Sequence, residues 1–305
     1  QAQSVLQVIQ AQPYADGSRH WISANKLPIH DGKGKVVGIL GTLEDISDRL
    51  ATRQAIARRE HYLTALVEVQ RQLMTLDDTW DHQRYLQILE PLGRASTASR
   101  VYIYELDKLV RTLHQRAEWS VEGIASTSGN AAMASLPIPG SFAEWMGTLR
   151  QGGVINQTLP EFPAAARSVL EPPPAQVKSI LLLPLQVKGQ LYGVIGFSDC
   201  VQLRTWTPSE VALLQVAASA ISLAIERHQV EQSLRQAERK YRGIFENAVE
   251  GIFQSTLDGA YLTANPMLAR LYGYDSPEAL IKGITNIRDQ LYVEGSCRDQ
   301  FIQQV

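Results

Sequence analysis

Cysteine is nearly absent: Cys200 and Cys297 are the two among 305 residues. Nothing in the sequence pairs them, which excludes a disulfide framework or a cysteine-based zinc site and points to a reducing, cytoplasmic setting. Charge of one sign is also lacking. A formal net charge of -2 raises no field that would gather nucleic acid or an anionic membrane. The longest apolar run, Ile180–Leu185, falls far short of the ~20 residues that cross a bilayer, so no membrane segment is expected. Gln1-Ala2-Gln3-Ser4 lacks the basic-then-apolar layout of a signal peptide. No Met opens the chain, so a slice of a longer protein is expected.

Catalytic motifs are missing as well. The sequence has no Walker loop, no Gly-x-Ser-x-Gly elbow and no cyclase-type Gly-Gly-Asp/Glu-Glu-Phe run. Gly32-x-Gly34-x-x-x-Gly38 imitates a phosphate loop but lies between two strand-like runs, so no helix N-terminus faces an anion. Glu44 and Asp45 are adjacent on a strand and point to opposite sides, so they cannot share a proton. His20, His30, His61, His82, His114 and His228 form no ligand cluster, and surface or strand positions are expected for them. His228 sits on a helix like that of a phosphoacceptor, but no ATP-binding domain follows it within these residues. Neither a catalytic residue nor a metal site is expected.

What is present is ordinary globular chain, 45% hydrophobic and 20% charged, long enough for two or three domains of mixed α/β (α+β) class. His20–Ile29 and Lys35–Leu43 read as strands joined by a hairpin at Asp31-Gly32. That piece is too short for a core of its own. After Asp45-Ile46-Ser47-Asp48, capped by Ser47 or Asp48, a helix runs from about Arg49 to Leu76 with no Pro or Gly. Ile56, Leu63, Leu66 and Leu73 fall on heptad positions, diluted by Arg59 and Gln70.

From Thr79 to about Arg227 strands and helices alternate. Arg100–Leu106, Leu113–Trp119 and Val154–Leu159 read as strands, and Ser141 is placed to cap a helix through Arg150. Val177–Val187 and Gln190–Ser198 flank Lys188-Gly189 as a hairpin whose apolar character implies cover on both sheet faces. Thr207, Pro208 and Glu210 spell a capping box. In the helix that follows, Val216, Ala220, Leu223, Arg227, Val230, Leu234, Ala237, Tyr241 and Ile244 keep strict 4,3 spacing. Packing on its own sheet accounts for that seam to about Leu223. Val230 and Leu234 need another helix, and a parallel dimeric coiled coil is expected over a solvated single helix.

Three blocks resemble known families. Tyr241-Arg242-Gly243-Ile244-Phe245-Glu246-Asn247-Ala248, Gly251-Ile252-Phe253, Asp258-Gly259, Asn265-Pro266 and Gly273-Tyr274 resemble the front half of a PAS domain. Tyr14-Ala15-Asp16-Gly17-Ser18, Trp21-Ile22-Ser23, Asp31-Gly32 and Asp45-Ile46-Ser47-Asp48-Arg49 resemble the rear half of another. Gln115-Arg116-Ala117-Glu118-Trp119, Lys178–Pro184, Tyr192-Gly193-Val194-Ile195-Gly196-Phe197 and Trp206–Leu214 resemble a GAF domain of bacterial sensor kinases and cyclases. The resemblance implies a PAS–GAF–PAS array cut at both ends. Its parts are residues 1–48 as the C-terminal half of a PAS domain, 49–76 as a connector helix, 60–227 as the GAF domain, 216–244 as a coiled-coil linker and 240–305 as the N-terminal half of a second PAS domain.

In such PAS sensors an Asp-Ile-Thr-like end joins the last strand to the output helix, the place held by Asp45, Ile46 and Ser47. The GAF resemblance implies a small-molecule pocket on one sheet face. Trp119, Phe142, Trp145, Ile180, Leu182 and Phe197 are candidates to line it, with Arg116 or Glu118 as polar contacts; the competing reading is that these side chains simply fill the core. No cofactor is identifiable. With no Cys before Cys200, a covalent bilin at the usual GAF position is excluded, and the cyclic-nucleotide signature is not recognisable. The last block has neither the reactive Cys of flavin PAS sensors at the expected place nor a His for haem. The expected role is sensing or relay to an output domain, through a homodimer with Val216, Leu223, Val230, Leu234, Tyr241 and Ile244 at its seam. The alternatives are the regulatory half of a histidine kinase, diguanylate cyclase or adenylate cyclase, and a ligand-free dimerisation module.

Overall fold

The structure, a computed structural model, describes residues 5–74, 80–107, 109, 111–138 and 142–291. The chain divides into two units, Gln1–Glu226 and Arg227–Val305.

The first unit opens with an antiparallel meander, β1 (Val5–Pro13), β2 (Arg19–His30) and β3 (Val36–Asp45). At the β2–β3 turn the left-handed residue is Gly34 (φ 78°) rather than Gly32, because Asp31 Oδ1 accepts from Lys33 N and Lys35 N and winds the turn two residues further. Helix α1 (Ser47–Met74) follows directly. Its first turn is held by Asp45, whose Oδ1 accepts from Ser47 N at 2.9 Å, so the acidic cap lies earlier than Ser47 or Asp48.

Helix α2 (His82–Ser96) leads into a six-stranded antiparallel sheet. Its strands are β4 (Arg100–Asp107), β5 (Thr112–Ser120), β6 (Ser135–Pro137), β7 (Ile155–Thr158), β8 (Ser179–Val187) and β9 (Gln190–Asp199), in the order β6-β5-β4-β9-β8-β7. Helix α3 (Ala131–Ala134) precedes β6, α4 (Ala143–Arg150) precedes β7, and α5 (Ala164–Leu170) precedes β8. Ser141 lies outside the described residues, and the N-cap position of α4 is Phe142, which makes no side-chain cap.

Alternation along the strands sorts the side chains into two cores. Val101, Ile103, Leu181, Leu183, Ile195 and Phe197 pack with α1, α2 and α6 (Pro208–Asn247). Tyr102, Tyr104, Ile180, Leu182 and Val194 pack with α3, α4 and α5. Both faces are therefore covered, as the unbroken apolar runs of β8 and β9 require. The predicted capping box starts α6: Thr207 N donates to Glu210 Oε2 at 2.8 Å, and Glu210 N donates back to Thr207 Oγ1 at 3.4 Å.

The second unit contains the end of α6, the hairpin β10 (Phe253–Ser255) and β11 (Tyr261–Ala264), and helices α7 (Pro266–Leu271), α8 (Pro277–Gly283) and α9 (Ile287–Gln290). Gly259, at φ 98°, makes the hairpin turn and Gly273, at φ 77°, stops α7. Asn265 is fully buried and satisfies four backbone groups: its Oδ1 accepts from Ile252 N and Leu268 N, and its Nδ2 donates to Phe245 O and Glu250 O. Cys297 and the rest of residues 292–305 lie outside the described residues.

Candidate functional site

Between the sheet and the α3–α5 side lies a cavity of about 50 Å³. Four of the predicted residues reach it, namely Phe142, Trp145, Ile180 and Leu182. Trp145 is pinned by its Nε1–H to Gln157 Oε1 at 2.9 Å and stands edge-on to Phe162 with ring centroids 5.4 Å apart. Phe197 and Trp119 do not reach it. Both belong to the core on the opposite face, where Trp119 lies against Gly93 of α2.

A β-bulge explains the polar residues. In the β4–β5 register Ile103 faces Ala117 and Tyr104 faces Gln115, which leaves Arg116 as the extra residue. Arg116 pairs with Glu105 and takes no part in the cavity. Glu118 does turn to the cavity side. It is buried, and accepts from Ser126 Oγ (2.8 Å), Thr127 N (2.7 Å), Gln115 Nε2 (3.1 Å) and the Thr127 hydroxyl.

Its counter-charge is Arg100, which sequence reasoning missed. Arg100 is 2% exposed; its Nη1 donates to Ala175 O at 2.9 Å and its Nη2 to Ala125 O at 2.6 Å. Its Nε stands 3.7 Å from Glu118 Oε2 and has no hydrogen-bond partner. Tyr102 and Tyr104 were missed too. Tyr102 OH is 3.0 Å from Ser198 Oγ, and Tyr104 OH donates to Met133 O at 2.7 Å. Burial pushes both phenols well above the ordinary tyrosine range, so they stay neutral. The signal available was their i, i+2 spacing on an apolar strand.

Among the described residues lining the cavity no nucleophile faces a base, and apart from Arg100 Nε the donors described above are occupied within the protein. A volume near 50 Å³ holds a water or two and lies far below the ~300–1,000 Å³ of a cofactor pocket. The cavity's partly exposed neighbour Cys200 points its thiol at Ala175 O (3.6 Å), and burial raises its pKa. Among the described residues no group of three or more His, Cys, Asp or Glu could hold a metal.

The second candidate region is helical. On α6 the row Leu214, Ala217, Ala218, Ile221 and Ile225 is buried against the sheet. The predicted seam is a different row: Val216, Leu223, Val230, Leu234, Tyr241 and Ile244 are all at least half exposed. Packing on the sheet therefore does not account for Val216 and Leu223, contrary to the sequence reading. On α1, Leu73 is buried and Leu66 packs on the core, while the exposed apolar row is Ile56, Leu63, Val67 and Met74. The heptad read from the sequence mixed the two rows. Among the described residues α6 is also the one helix long and apolar enough to cross a membrane by length and composition, with a window of mean hydropathy 1.5 that is 33% buried. The buried part is the sheet-facing row.

At the strand-to-helix junction Asp45 accepts from Ser47 N, Ile46 is 2% exposed, and Ser47 Oγ accepts from Trp21 N at 2.8 Å. Ile46 N donates to Trp21 O at 2.8 Å. Hydrogen bonds from Ser47, then from His20, hold the Asp45 carboxyl down at about 2.

The two units have known counterparts in sequence. Residues 82–225 match the GAF domain family model and residues 239–304 a PAS domain family model, so a GAF domain is followed by a PAS domain. The chain is related to sensor histidine kinases. It is 31% identical over 224 residues to the methanogenesis regulatory histidine kinase FilI of Methanothrix harundinacea, covering 72% of this chain and 25% of FilI. It is 28% identical over 98 residues to the circadian input-output histidine kinase CikA of Thermosynechococcus vestitus, covering 32% of this chain and 13% of CikA. The chain thus spans a quarter or less of the curated relatives it matches. Among solved structures, the blue-light-absorbing form of the Thermosynechococcus elongatus PixJ GAF domain aligns with a TM-score of 0.46 at 23% identity, over 54% of this chain and 98% of that one. The GAF domain of an Acinetobacter phosphoenolpyruvate-protein phosphotransferase aligns at 0.42 and 12% identity, over 55% and 94%.

Proposed function

We propose that these residues relay a signal inside a multidomain sensor histidine kinase, and that they do so as a homodimer whose α6 helices pair in parallel. The observation that carries this is the uncovered row from Val216 to Ile244, in 4,3 spacing on one 40-residue helix, opposite a separate row that serves the GAF core. Apolar side chains repeating every 3.5 residues on average are buried efficiently by a second copy of the same helix. A change in the GAF core shifts the inner row, and the outer row carries that shift toward the PAS domain and an output domain. The exposed side chains Ile9, Trp21, Leu27 and Leu40, which the register puts on one side of the β1–β3 meander, support reading it as the rear half of another PAS domain. The scarcity of cysteine supports a cytoplasmic setting.

Sedimentation velocity tests the pairing. Wild type is expected to run as a dimer and Val230→Asp/Leu234→Asp as a folded monomer with unchanged helical circular dichroism. A double variant that stays dimeric ends this reading.

A second reading, small-molecule sensing by the GAF domain, is favoured by the buried Arg100–Glu118 pair beside an apolar cavity. The cavity's small volume favours the ligand-free relay. Native mass spectrometry separates them, since a bound compound appears as a fixed mass increment. The residues that follow Val305 in the full protein decide between a kinase and a cyclase output.

A further inference from the structure

Among the described residues no strand covers the outer side of β8 beyond Leu182. β7 pairs with β8 from Ser179 to Leu182 and stops, while β9 follows β8 on the other side as far as the Val187–Gln190 pair. Such an edge leaves every second amide pointing outward without a ladder partner. Here α6 closes the edge instead of a strand. Pro184 brings no N–H to it. Two residues on, Gln186 N donates to Ser222 Oγ at 3.0 Å. Two further on, Lys188 N donates to Glu226 Oε2 at 3.1 Å. Four residues of helix rise about 6 Å and two of strand about 7 Å, so the two bonds run side by side.

These bonds meet α6 where it leaves the sheet. Ile225 is its last buried residue, and Leu223, beside Ser222, belongs to the exposed row. On the other side of the bonds the turn has a fixed shape. Lys188 (φ 52°) and Gly189 (φ 71°) both take the left-handed conformation that a two-residue hairpin turn requires. A cleft of about 350 Å³ lies alongside, with Gln186, Ser222, Leu223 and Glu226 in its walls. Water can therefore reach an amide that loses its partner there, and the fold does not hang on either bond.

We infer that Ser222 and Glu226 latch α6 to the β8–β9 hairpin, so that the hairpin and the departing stretch of α6 shift as one piece. The sheet-facing row of α6 cannot do this alone. Apolar burial has no direction, and at Ala217 and Ala218 the row is shallow, so a small slide or rotation costs it little. Two aligned N–H···O bonds weaken steeply when their geometry is disturbed. The same two strands wall the cavity with Ile180, Leu182 and Val194, so a rearrangement there reaches α6 at a defined point. That use of the latch rests on the relay reading, whereas the latch itself belongs to a single chain.

The experiment reads amide exchange residue by residue in the whole chain by NMR. Ser222→Ala is expected to speed exchange at Gln186 about fivefold, and Glu226→Ala to do the same at Lys188, as the loss of one hydrogen bond implies. Glu226→Gln keeps an oxygen that accepts from Lys188 N and is expected to follow wild type. The decisive comparison adds Gly189→Val. A Cβ at Gly189 meets nothing within 4 Å, so this change strains the turn through its φ of 71° alone. With the latch intact, Gly189→Val is expected to speed exchange in α6 residues 222–230 about threefold. In Ser222→Ala/Glu226→Ala it is expected to leave that stretch unchanged.

Equal increments with and without the latch overturn the inference. So does a change confined to the hairpin in both backgrounds, or a Glu226→Gln variant that behaves like Glu226→Ala. Glu226 is half-buried, so Glu226→Ala alone carries the same comparison if the double latch variant does not fold. Every signal arises within one chain, and pairing of chains is read separately by sedimentation. A failed latch and a failed relay are therefore told apart.

Discussion

Leu214 and Val216 sit about 200° apart around α6, and the first is 1% exposed while the second is 51% exposed. Two residues of separation thus divide the work of the helix between its own sheet and a surface left open. Leu214→Ala is expected to lower unfolding stability by about 2–5 kcal/mol at every protein concentration, through lost burial and a cavity. Val216→Ala is expected to stay within about 0.5 kcal/mol in dilute solution and to show its effect only where dimers form. Urea unfolding at two protein concentrations distinguishes the two.

Removing the Glu118 charge leaves Arg100 buried without a counter-ion. Glu118→Gln is expected to destabilise the GAF domain by about 3–5 kcal/mol, and the double change Arg100→Met/Glu118→Gln to recover much of that loss. A double-mutant cycle in thermal or urea unfolding measures the coupling.

Two glycines with opposite surroundings give opposite signs. A Cβ at Gly193 would stand 2.2 Å from the Tyr104 carbonyl oxygen, a backbone atom held in the β4–β9 ladder. Gly193→Ala is expected to cost about 1–3 kcal/mol. Gly147, on the exposed side of α4, has nothing within 4 Å, and Gly147→Ala is expected to stabilise by about 0.5–1 kcal/mol. Melting temperatures of the two variants should move in opposite directions.

Asp45 ties the start of α1 to acid. Its folded value of about 2 lies below the unreacted 3.8, so its contribution is complete above the higher figure and is lost as pH falls toward the lower one. Between those limits the α1 first turn is expected to lose exchange protection in wild type. Asp45→Asn, which has no carboxylate to protonate, is expected to be weaker at neutral pH and flat across that acid range.

Much of this architecture is written in local patterns. The Thr207–Glu210 box, the Lys188-Gly189 hairpin, Asn265 at the head of α7 and the two-sided burial of β8 and β9 each rest on residues close in sequence. What depended on register was not readable. Strict alternation puts Arg116 and Glu118 on one face, and only the bulge between Ile103 and Tyr104 separates them. Trp119 and Phe197 were candidates either to line the cavity or to fill the core, and the pleat sends both to the core on the other side. On α1 a one-position rotation exchanges Leu66 and Leu73 for Val67 and Met74, because two apolar rows lie side by side. Arg100 escaped notice because a buried arginine is unusual, and its partners come from distant loops.

The four bonds of Asn265 make the PAS hairpin dependent on the last turn of α6. Withdrawing the Phe245 carbonyl by a rotation of that turn strands a buried amide hydrogen, while the Ile252, Leu268 and Glu250 bonds hold the side chain where it is. On the proposed relay, a twist along the helix is either resisted at Asn265 or passed to the hairpin and α7 together, with little room for a half-measure.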